Sequence, residues 1–325
     1  MNSCIYEVIL PVAEKDLITA LKNIQYIKDN LNPAKIIIIA SKKCKSRIEA
    51  CKYAIFKEED SVLPELKLSS VRSMIEDRIG STRSSGWYFQ QFIKMGYSAV
   101  SENPYYVVWD ADTIPLNGID FISDNNRYLL TMKSEYHPLY FKTIQRLLGV
   151  EYSKSVNDSF ISENMIIDTQ VMKQLISAIN KSPVAGQVFW EKILHAIDDE
   201  EIEKNGFSEY ETYGTFFVHH YPEKVAFRKL RTLREGAKFL GKHPSRIVLS
   251  WASKSYDTIS IENRELILLV APIWLFFPIC TKVSLENIVK TFDSFNIAQD
   301  ICIAKLRIIV RYMKIFFYRA FKKCK

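Results

Sequence analysis

The sequence lacks the features that mark several common classes of protein. Its six cysteines are scattered, with no Cys-x-x-Cys pair and no histidine at metal-finger spacing, which argues against a disulfide framework or a zinc finger. Reduced thiols are typical of the cytoplasm. The chain has no internal repeat and no low-complexity linker. The amino terminus has neither a basic segment nor a cleavage site, so we expect no secretion signal.

A long hydrophobic span is also missing. The run LILLVAPIWLFFPICT at 266–281 has sixteen residues without a charge. A membrane-crossing helix needs about 20 apolar residues, and Pro272 and Pro278 interrupt this run. We therefore expect no transmembrane helix here.

Positive charge is concentrated at the carboxyl end. Residues 263–325 hold eleven basic and four acidic residues, which accounts for the whole formal net charge of +7. The preceding residues are neutral on balance, which argues against a body that wraps nucleic acid. From residue 301 onward, a helical projection puts apolar side chains on one side and basic ones on the other. This predicts a helix on an anionic membrane surface; a solvated basic face on a packed surface helix is the alternative.

Apolar runs and helical spacings alternate over residues 1–262 and predict one mixed α/β domain, with 263–325 as a helical extension. The apolar run at 5–12, the helical spacing at 16–31 and the run KIIIIAS at 35–41 give the strand-helix-strand order of a parallel sheet. We expect further strands at 105–109, 128–132, 165–168 and 215–220, and helices at 86–100, 170–179 and 189–197.

Two aspartates follow a strong strand pattern. The segment YYVVWDADTIPL at 105–116 favours a buried strand that ends at Asp110 and Asp112. In open α/β sheets, ligands bind outside the carboxyl ends of the strands. Carboxylates at this spacing can share Mg²⁺ or Mn²⁺, which then bridges the phosphates of a nucleotide. A polar strand exit with local capping is the alternative.

Four blocks carry a resemblance to a known family: SSGWYFQQFIKM at 84–95, WDADTIPL at 109–116, ISENMIID at 161–168 and FSEYETYG at 207–214. In this order, and over roughly residues 5–235, the chain resembles a bacterial family of glycosyltransferases with the GT-A fold. That fold is a Rossmann-related, mostly parallel sheet flanked by helices. The resemblance implies a nucleotide-sugar donor, a divalent metal at Asp110 and Asp112, and transfer to a saccharide acceptor. It does not indicate which sugar is transferred.

FSEYETYG supplies the acids that we expect to act on the acceptor. Transfer with inversion needs a base that deprotonates the acceptor hydroxyl. Glu209 and Glu211 stand in an aromatic segment, where partial burial would raise a carboxylate pKa towards the working range of a base. The resemblance centres on S-E-Y-E and favours Glu209. The alternative is a pair of solvated acids that continue the IDDEEIE run.

The SSGWYFQQFIKM helix supplies residues that we expect beside the donor. One helical stripe holds Trp87, Gln90, Gln91 and Lys94. This stripe would place amides and a cation at the donor, and Arg83 just before the helix is available to a phosphate. Core packing explains Trp87 equally well.

Other candidates for donor contacts lie further along the chain. Glu163 and Asn164 interrupt the apolar pattern of ISENMIID and could bind sugar hydroxyls; a helix or strand cap is the alternative. Arg231 and Arg234 belong to a basic stretch that could hold the pyrophosphate or form a solvated face.

A third metal ligand is expected from the histidines, because GT-A metal sites often recruit one from the carboxyl-terminal part. His219, His220 and His243 are the available positions, and His219 is our candidate. If 215–220 is a strand, His219 and His220 point to opposite faces. A hydrogen-bonded histidine without a metal is the alternative.

Two rival functions fit parts of the sequence. DADT also satisfies Asp-x-Asp-x-Thr, the signature of haloacid-dehalogenase-type phosphatases, in which Asp110 would be the nucleophile and Asp112 an acid/base. That signature usually lies on the first strand, and its later acidic motif would have to come from IDDEE at 197–201. A membrane-peripheral scaffold that keeps the fold without turnover is the other rival.

The resemblance, together with the residue patterns above, implies a metal-dependent, inverting glycosyltransferase that uses Mn²⁺ or Mg²⁺ and a nucleotide sugar. We expect a saccharide acceptor, lipid-linked, in the synthesis of capsule, lipopolysaccharide or a related surface glycan. We expect the protein in the cytoplasm, peripheral on the inner face of the cell membrane through 301–325, with no nucleic-acid partner.

Overall fold

The computed structural model describes residues 6–154, 158–262 and 284–295. Its strands are β1 (Glu7–Pro11), β2 (Lys35–Ala40), β3 (Ala54–Glu58), β4 (Tyr105–Trp109), β5 (Thr113–Pro115), β6 (Tyr128–Thr131), β7 (Asn164–Asp168), β8 (Val225–Arg228), β9 (Thr232–Leu233) and β10 (Thr258–Ser260). Its α-helices are α1 (Leu17–Leu31), α2 (Lys45–Glu49), α3 (Leu68–Ile79), α4 (Ser85–Gly96), α5 (Pro138–Leu148), α6 (Thr169–Lys181), α7 (Phe189–Ala196), α8 (Asp199–Ile202), α9 (Glu209–His220), α10 (Gly236–Leu240), α11 (Arg246–Ala252) and α12 (Leu285–Phe295). Short 3₁₀ helices are formed by Glu14–Asp16, Lys42–Cys44, Glu59–Ser61, Tyr97–Ala99 and Pro222–Lys224.

A five-stranded sheet forms the centre of the fold, in the order β3-β2-β1-β4-β7. The first four of these strands are parallel, and β7 is antiparallel to β4 at the edge. Every residue of β1 and the isoleucines of β2 are buried, as expected for strands that helices cover on both faces. The expected mixed, mostly parallel α/β sheet flanked by helices is confirmed.

A second hydrophobic cluster lies around a smaller sheet of order β5-β10-β9. Ile114 of β5 and Ile259 of β10 belong to it, as do Leu285 and Ile288 of α12. The beginning of α12 therefore packs on the body of the protein. A further two-stranded sheet joins β6 to β8 in parallel.

The predicted strand at 215–220 is wrong, because these residues form the second half of α9. Ser208 is the N-cap of this helix, and its hydroxyl accepts a hydrogen bond from the Glu211 amide at 3.2 Å. Ser208 and Glu211 have the S-x-x-E spacing of a capping box, which is a helix-start signal. The helix is buried over most of its length, so it lacks the polar face that distinguishes a surface helix from a strand.

The described part of the chain contains no helix with the length and apolar character needed to cross a membrane. The uncharged run at 266–281 and the amphipathic segment at 301–325 lie outside the described residues. The predicted boundary between a catalytic domain (1–262) and an extension (263–325) stays a prediction.

Candidate active site

Asp110 and Asp112 leave the central sheet at the carboxyl end of β4. The amide of Asp110 donates to the Glu163 carbonyl at 3.0 Å, which ties the first aspartate to the residue before β7. The carbonyl of Asp112 accepts from the Ile261 amide at 2.9 Å, which ties the second to the end of β10. The two aspartates are therefore fixed by different sheets, and the chain turns between them.

A cleft of about 740 Å³ lies at this edge and is lined by Asp112. The predicted donor residues Arg83 and Trp87 line it too, as does Lys15 from the 3₁₀ helix after β1. Lys15 and Arg83 are exposed, and neither side chain forms an ion pair with another described residue. The cleft thus presents free cations together with carboxylates.

Asp112 is partly buried and lies close to other acidic side chains. Burial, together with repulsion from Asp110 and Glu262, raises its pKa to about 7. Glu262 also lines the cleft. A positively charged ligand would relieve this repulsion, so the site favours a cation.

A buried cation holds Asp110 from the side of the helices. Lys94 of α4 places Nζ 2.9 Å from Asp110 Oδ1 and 2.9 Å from Glu209 Oε1, and 4.5 Å from the centre of the Tyr210 ring. Burial alone lowers the pKa of Lys94, but attraction from the two carboxylates outweighs it and holds that pKa well above its usual range. Within the described chain, Asp110 Oδ2 has no hydrogen-bond partner.

Glu209 is the first residue of α9 and is only 3% exposed. Its carboxylate pairs with Lys94 and also accepts a hydrogen bond from Gln91. This holds when the Gln91 amide is turned so that its nitrogen, and not its oxygen, faces Glu209. Burial raises the pKa of Glu209, and Lys94 opposes that rise. The alternative of solvated acids is wrong. However, the carboxylate is enclosed by Lys94 and Gln91, so it does not face an acceptor in this arrangement.

The structure does not bring Glu211 to the aspartates. Glu211 is 1% exposed, and its carboxylate accepts from the Phe160 amide at 3.1 Å. It therefore anchors the segment that leads into β7. Its expected catalytic role is not supported by this position, because a side chain that holds backbone is not available to a substrate.

Glu163 lies beside Asp110, and Arg234 joins Glu163 in a cluster of ion pairs. Glu163 is 3.2 Å from Lys133 Nζ and 3.1 Å from Arg234 Nε. Arg234 also pairs with Glu135. The two acids and two bases of this cluster leave it with no net charge. The cluster can therefore offer hydrogen bonds in defined directions but adds no net charge to the site.

Asn164, the first residue of β7, lies opposite Trp109 of β4. It is 1% exposed, and neither polar atom of its side chain has a hydrogen-bond partner in the described chain. Buried amides usually find partners, so this one is consistent with a polar ligand at the edge of the sheet.

Arg231 and His219 lie away from the aspartates. Arg231 forms an ion pair with Asp257 at 2.6 Å on an exposed face. His219 is near the end of α9, about 15 Å along the helix axis from Glu209 at 1.5 Å per residue, and packs on the Tyr152 ring at 4.6 Å. This position gives no support to His219 as the third metal ligand, because 215–220 is part of a helix and not the predicted strand. The described residues contain no group of three His, Cys, Asp or Glu side chains that could hold a metal ion.

Sequence reasoning missed Lys15 and Lys133. Lys15 follows β1, which neighbours β4 in the sheet. The rule that ligands bind at carboxyl ends of parallel strands could have indicated it. Lys133 follows β6, whose partner β8 is far along the chain, so no local signal marks it.

The fold and site define an α/β protein with a polar cleft at the carboxyl edge of a mostly parallel sheet. The chain belongs to the Family of unknown function (DUF6492), whose model matches residues 24–233. No functionally curated protein is significantly similar to it.

Two solved structures resemble this chain in the overall path of the backbone. The apo form of mouse xyloside xylosyltransferase 1 has 11% sequence identity and a TM-score of 0.38, over 80% of this chain and 98% of that one. The galactosyltransferase LgtC in complex with donor and acceptor sugar analogues has 7% identity and a TM-score of 0.41, over 79% of this chain and 87% of that one. Likenesses this distant say nothing of substrate or mechanism here.

Proposed function

We propose that this protein is a metal-dependent glycosyltransferase of the GT-A type that uses a nucleotide-sugar donor. The observation that carries the proposal is the cleft in which Asp112 is accompanied by the unpaired cations Lys15 and Arg83. A diphosphate with a divalent cation presents negative and positive charge together, and so requires both kinds of partner. The four sequence blocks support the same reaction class.

Asp110 and Asp112 fit a divalent metal ion. Asp110 keeps Oδ2 unpaired within the described chain. The raised pKa of Asp112 reflects burial first and then repulsion from Asp110 and Glu262, and a bound cation would offset that repulsion. Mg²⁺ and Mn²⁺ accept carboxylate oxygens and often need only one or two from the protein, with substrate phosphates and water as the remaining ligands. Bound here, the metal would neutralise the charge that develops on the leaving diphosphate.

The residues around the aspartates have distinct roles in this proposal. Lys94 fixes one oxygen of Asp110, and Glu209 fixes Lys94. Arg83 and Lys15 bind donor phosphates. Half-buried Trp87 offers the donor an apolar face at the cleft. Glu209 is thus a positioning residue, and to act as a base it would first have to leave Lys94.

The finer parts of the proposal concern the acceptor. A lipid-linked saccharide of a bacterial surface glycan is proposed from the block resemblance and from the basic amphipathic pattern at 301–325. An enzyme held at the membrane meets such an acceptor in two dimensions. Inversion is part of the proposal, and the anomeric configuration of the product tests it.

The phosphatase alternative lacks support at its second acidic motif. Asp198 and Glu201 of IDDEE pair with Lys142 at 2.5 and 2.7 Å, and within the described chain neither forms an ion pair or hydrogen bond with Asp110. Water labelled with ¹⁸O separates the two reactions, since a phosphatase places the label in released phosphate. For a scaffold without turnover, Asp112→Asn would leave the cellular phenotype intact.

A thermal-shift screen of nucleotide sugars with and without Mn²⁺ tests the proposed function. A ligand that binds only the folded state raises its stability by mass action. We expect one donor to raise the melting temperature only in the presence of the metal. A screen in which no donor does so would refute the proposal.

A further inference from the structure

A second cavity, of about 370 Å³, lies at the carboxyl ends of β1 and β2. We call it the inner cavity, to distinguish it from the cleft at Asp112. Val12, Ile39 and Phe89 give it apolar walls, and the polar and charged side chains that also line it are Glu14, Ser41, Lys43, Glu59, Arg72 and Gln90. Apolar walls with placed polar and charged groups are typical of a site for a small organic ligand.

The inner cavity and the cleft share a boundary. Ala13, Gly86 and Gln90 line both of them. Two of these three residues have the smallest side chains available to a protein. A ligand larger than either cavity could therefore extend across this boundary.

The fold gives no reason for glycine at position 86. Gly86 does not have a positive φ, and a Cβ atom built on it meets nothing within 4 Å. On the same helix, a Cβ on Gly96 would lie 2.5 Å from Leu63 Cδ1, so there packing requires glycine. Gly86 is the second residue of α4, and glycine is a poorer helix former than alanine. Because Gly86 lines both cavities, a side chain at this position would project into the space between them.

We propose that Gly86 is a specificity-determining residue. Because it has no side chain, one extended ligand can occupy the cleft and the inner cavity at once. The inference rests on the proposed function and deepens it. The diphosphate lies by Lys15, Arg83 and Asp112, and the nucleoside passes Gly86 into the inner cavity. A sugar phosphate without a nucleoside would fill only the cleft.

The test compares Gly86→Ala and Gly86→Val with the wild type by isothermal titration calorimetry. The probes are a panel of nucleoside diphosphates and inorganic pyrophosphate, each with Mn²⁺. Pyrophosphate fits within the cleft and does not need the boundary. Gly118→Val is the matched control, because Gly118 is also exposed, and its added Cβ would lie at an ordinary 3.8 Å from the Asn30 carbonyl.

For Gly86→Val we expect affinity for the bound nucleoside diphosphate to fall by about tenfold, since overfilling a packed contact typically costs the equivalent of about one decade. Gly86→Ala should show a smaller loss. Affinity for pyrophosphate and the melting temperature should match the wild type or exceed it, and Gly118→Val should bind both probes normally.

Equal nucleoside diphosphate affinity in Gly86→Val and the wild type would overturn the inference. Parallel loss of pyrophosphate would overturn it too, because the change would then have disturbed the cleft itself. If Gly86→Val transfers sugar with an unchanged KM for the donor, the inference falls and the proposed function stands. If the wild type binds no nucleoside diphosphate, both fall.

Discussion

Lys94 Nζ lies midway between two carboxylates, 2.9 Å from Glu209 Oε1 and 2.9 Å from Asp110 Oδ1. This ammonium joins the start of α9 to the end of β4. Its two carboxylates come from segments far apart in sequence, so the pairing depends on tertiary structure. The predictions below follow from this link and from its surroundings.

Glu209→Gln should weaken Mn²⁺ binding. Without the Glu209 charge, Lys94 is attracted by Asp110 alone and competes more strongly with a metal for that carboxylate. Titration of the free Mn²⁺ signal by electron paramagnetic resonance measures this. Glu211→Gln is the matched control, since Glu211 is also buried in α9 but bonds to the Phe160 amide. Unchanged Mn²⁺ affinity with a large loss of kcat would instead indicate that Glu209 is a base.

Lys94→Met should destabilise the fold by about 3–5 kcal/mol, because it leaves the buried Glu209 carboxylate without its cation. Adding Glu209→Gln should restore part of this loss, since the double variant removes that charge. Urea unfolding of the wild type, both single variants and the double variant gives the coupling energy. Additive effects of the two substitutions would contradict a direct pair.

Asp112→Asn should abolish metal-dependent donor binding and yet stabilise the protein at pH 8. Burial raises the pKa of Asp112 to about 7, above its value in an unfolded chain. The folded state then holds a proton that the unfolded state has released, so stability falls as pH rises from about 4 to 7. The variant keeps a neutral side chain and escapes this loss, which is at most about 4 kcal/mol.

Thermal unfolding of Asp112→Asn and the wild type between pH 4 and pH 8 measures the difference. The gain should be largest at pH 8 and vanish near pH 4. Asp120→Asn, at an exposed position, controls for the loss of one negative charge. A variant less stable than the wild type at pH 8 would show that Asp112 has a stabilising partner.

Removing residues 301–325 should release the protein from anionic vesicles and leave donor hydrolysis intact. Basic residues contribute about 1 kcal/mol each near an anionic lipid surface. This truncation retains Leu285 and Ile288, which belong to the second hydrophobic cluster, so it leaves that cluster covered. Co-sedimentation with vesicles of anionic and of neutral lipids provides the measurement. A truncated protein that still pellets with the anionic vesicles would contradict the role of the segment.

The central sheet could be predicted because its signals are local. The apolar runs of β1, β2 and β4 are continuous, and Asp110 follows the last of them directly. The sequence predicts a strand at 215–220, although these residues form the second half of α9. The aromatic residues of this helix are buried, so they give no amphipathic period.

The arrangement of the site was less accessible to sequence reasoning. Glu209, Gln91 and Lys94 were identified as site residues, but their mutual contacts were not, since ion pairs between distant segments leave no pattern in one sequence. The same limit applies to the Glu163 and Arg234 pair. Residue types at strand ends can be predicted, whereas the direction of each side chain requires the fold.

Glu262 follows β10 and lines the cleft together with Asp112, at an exposed position. An environment-sensitive dye attached at position 262, through Glu262→Cys, would therefore sense occupancy of the cleft directly, giving an optical reporter that needs no knowledge of the sugar.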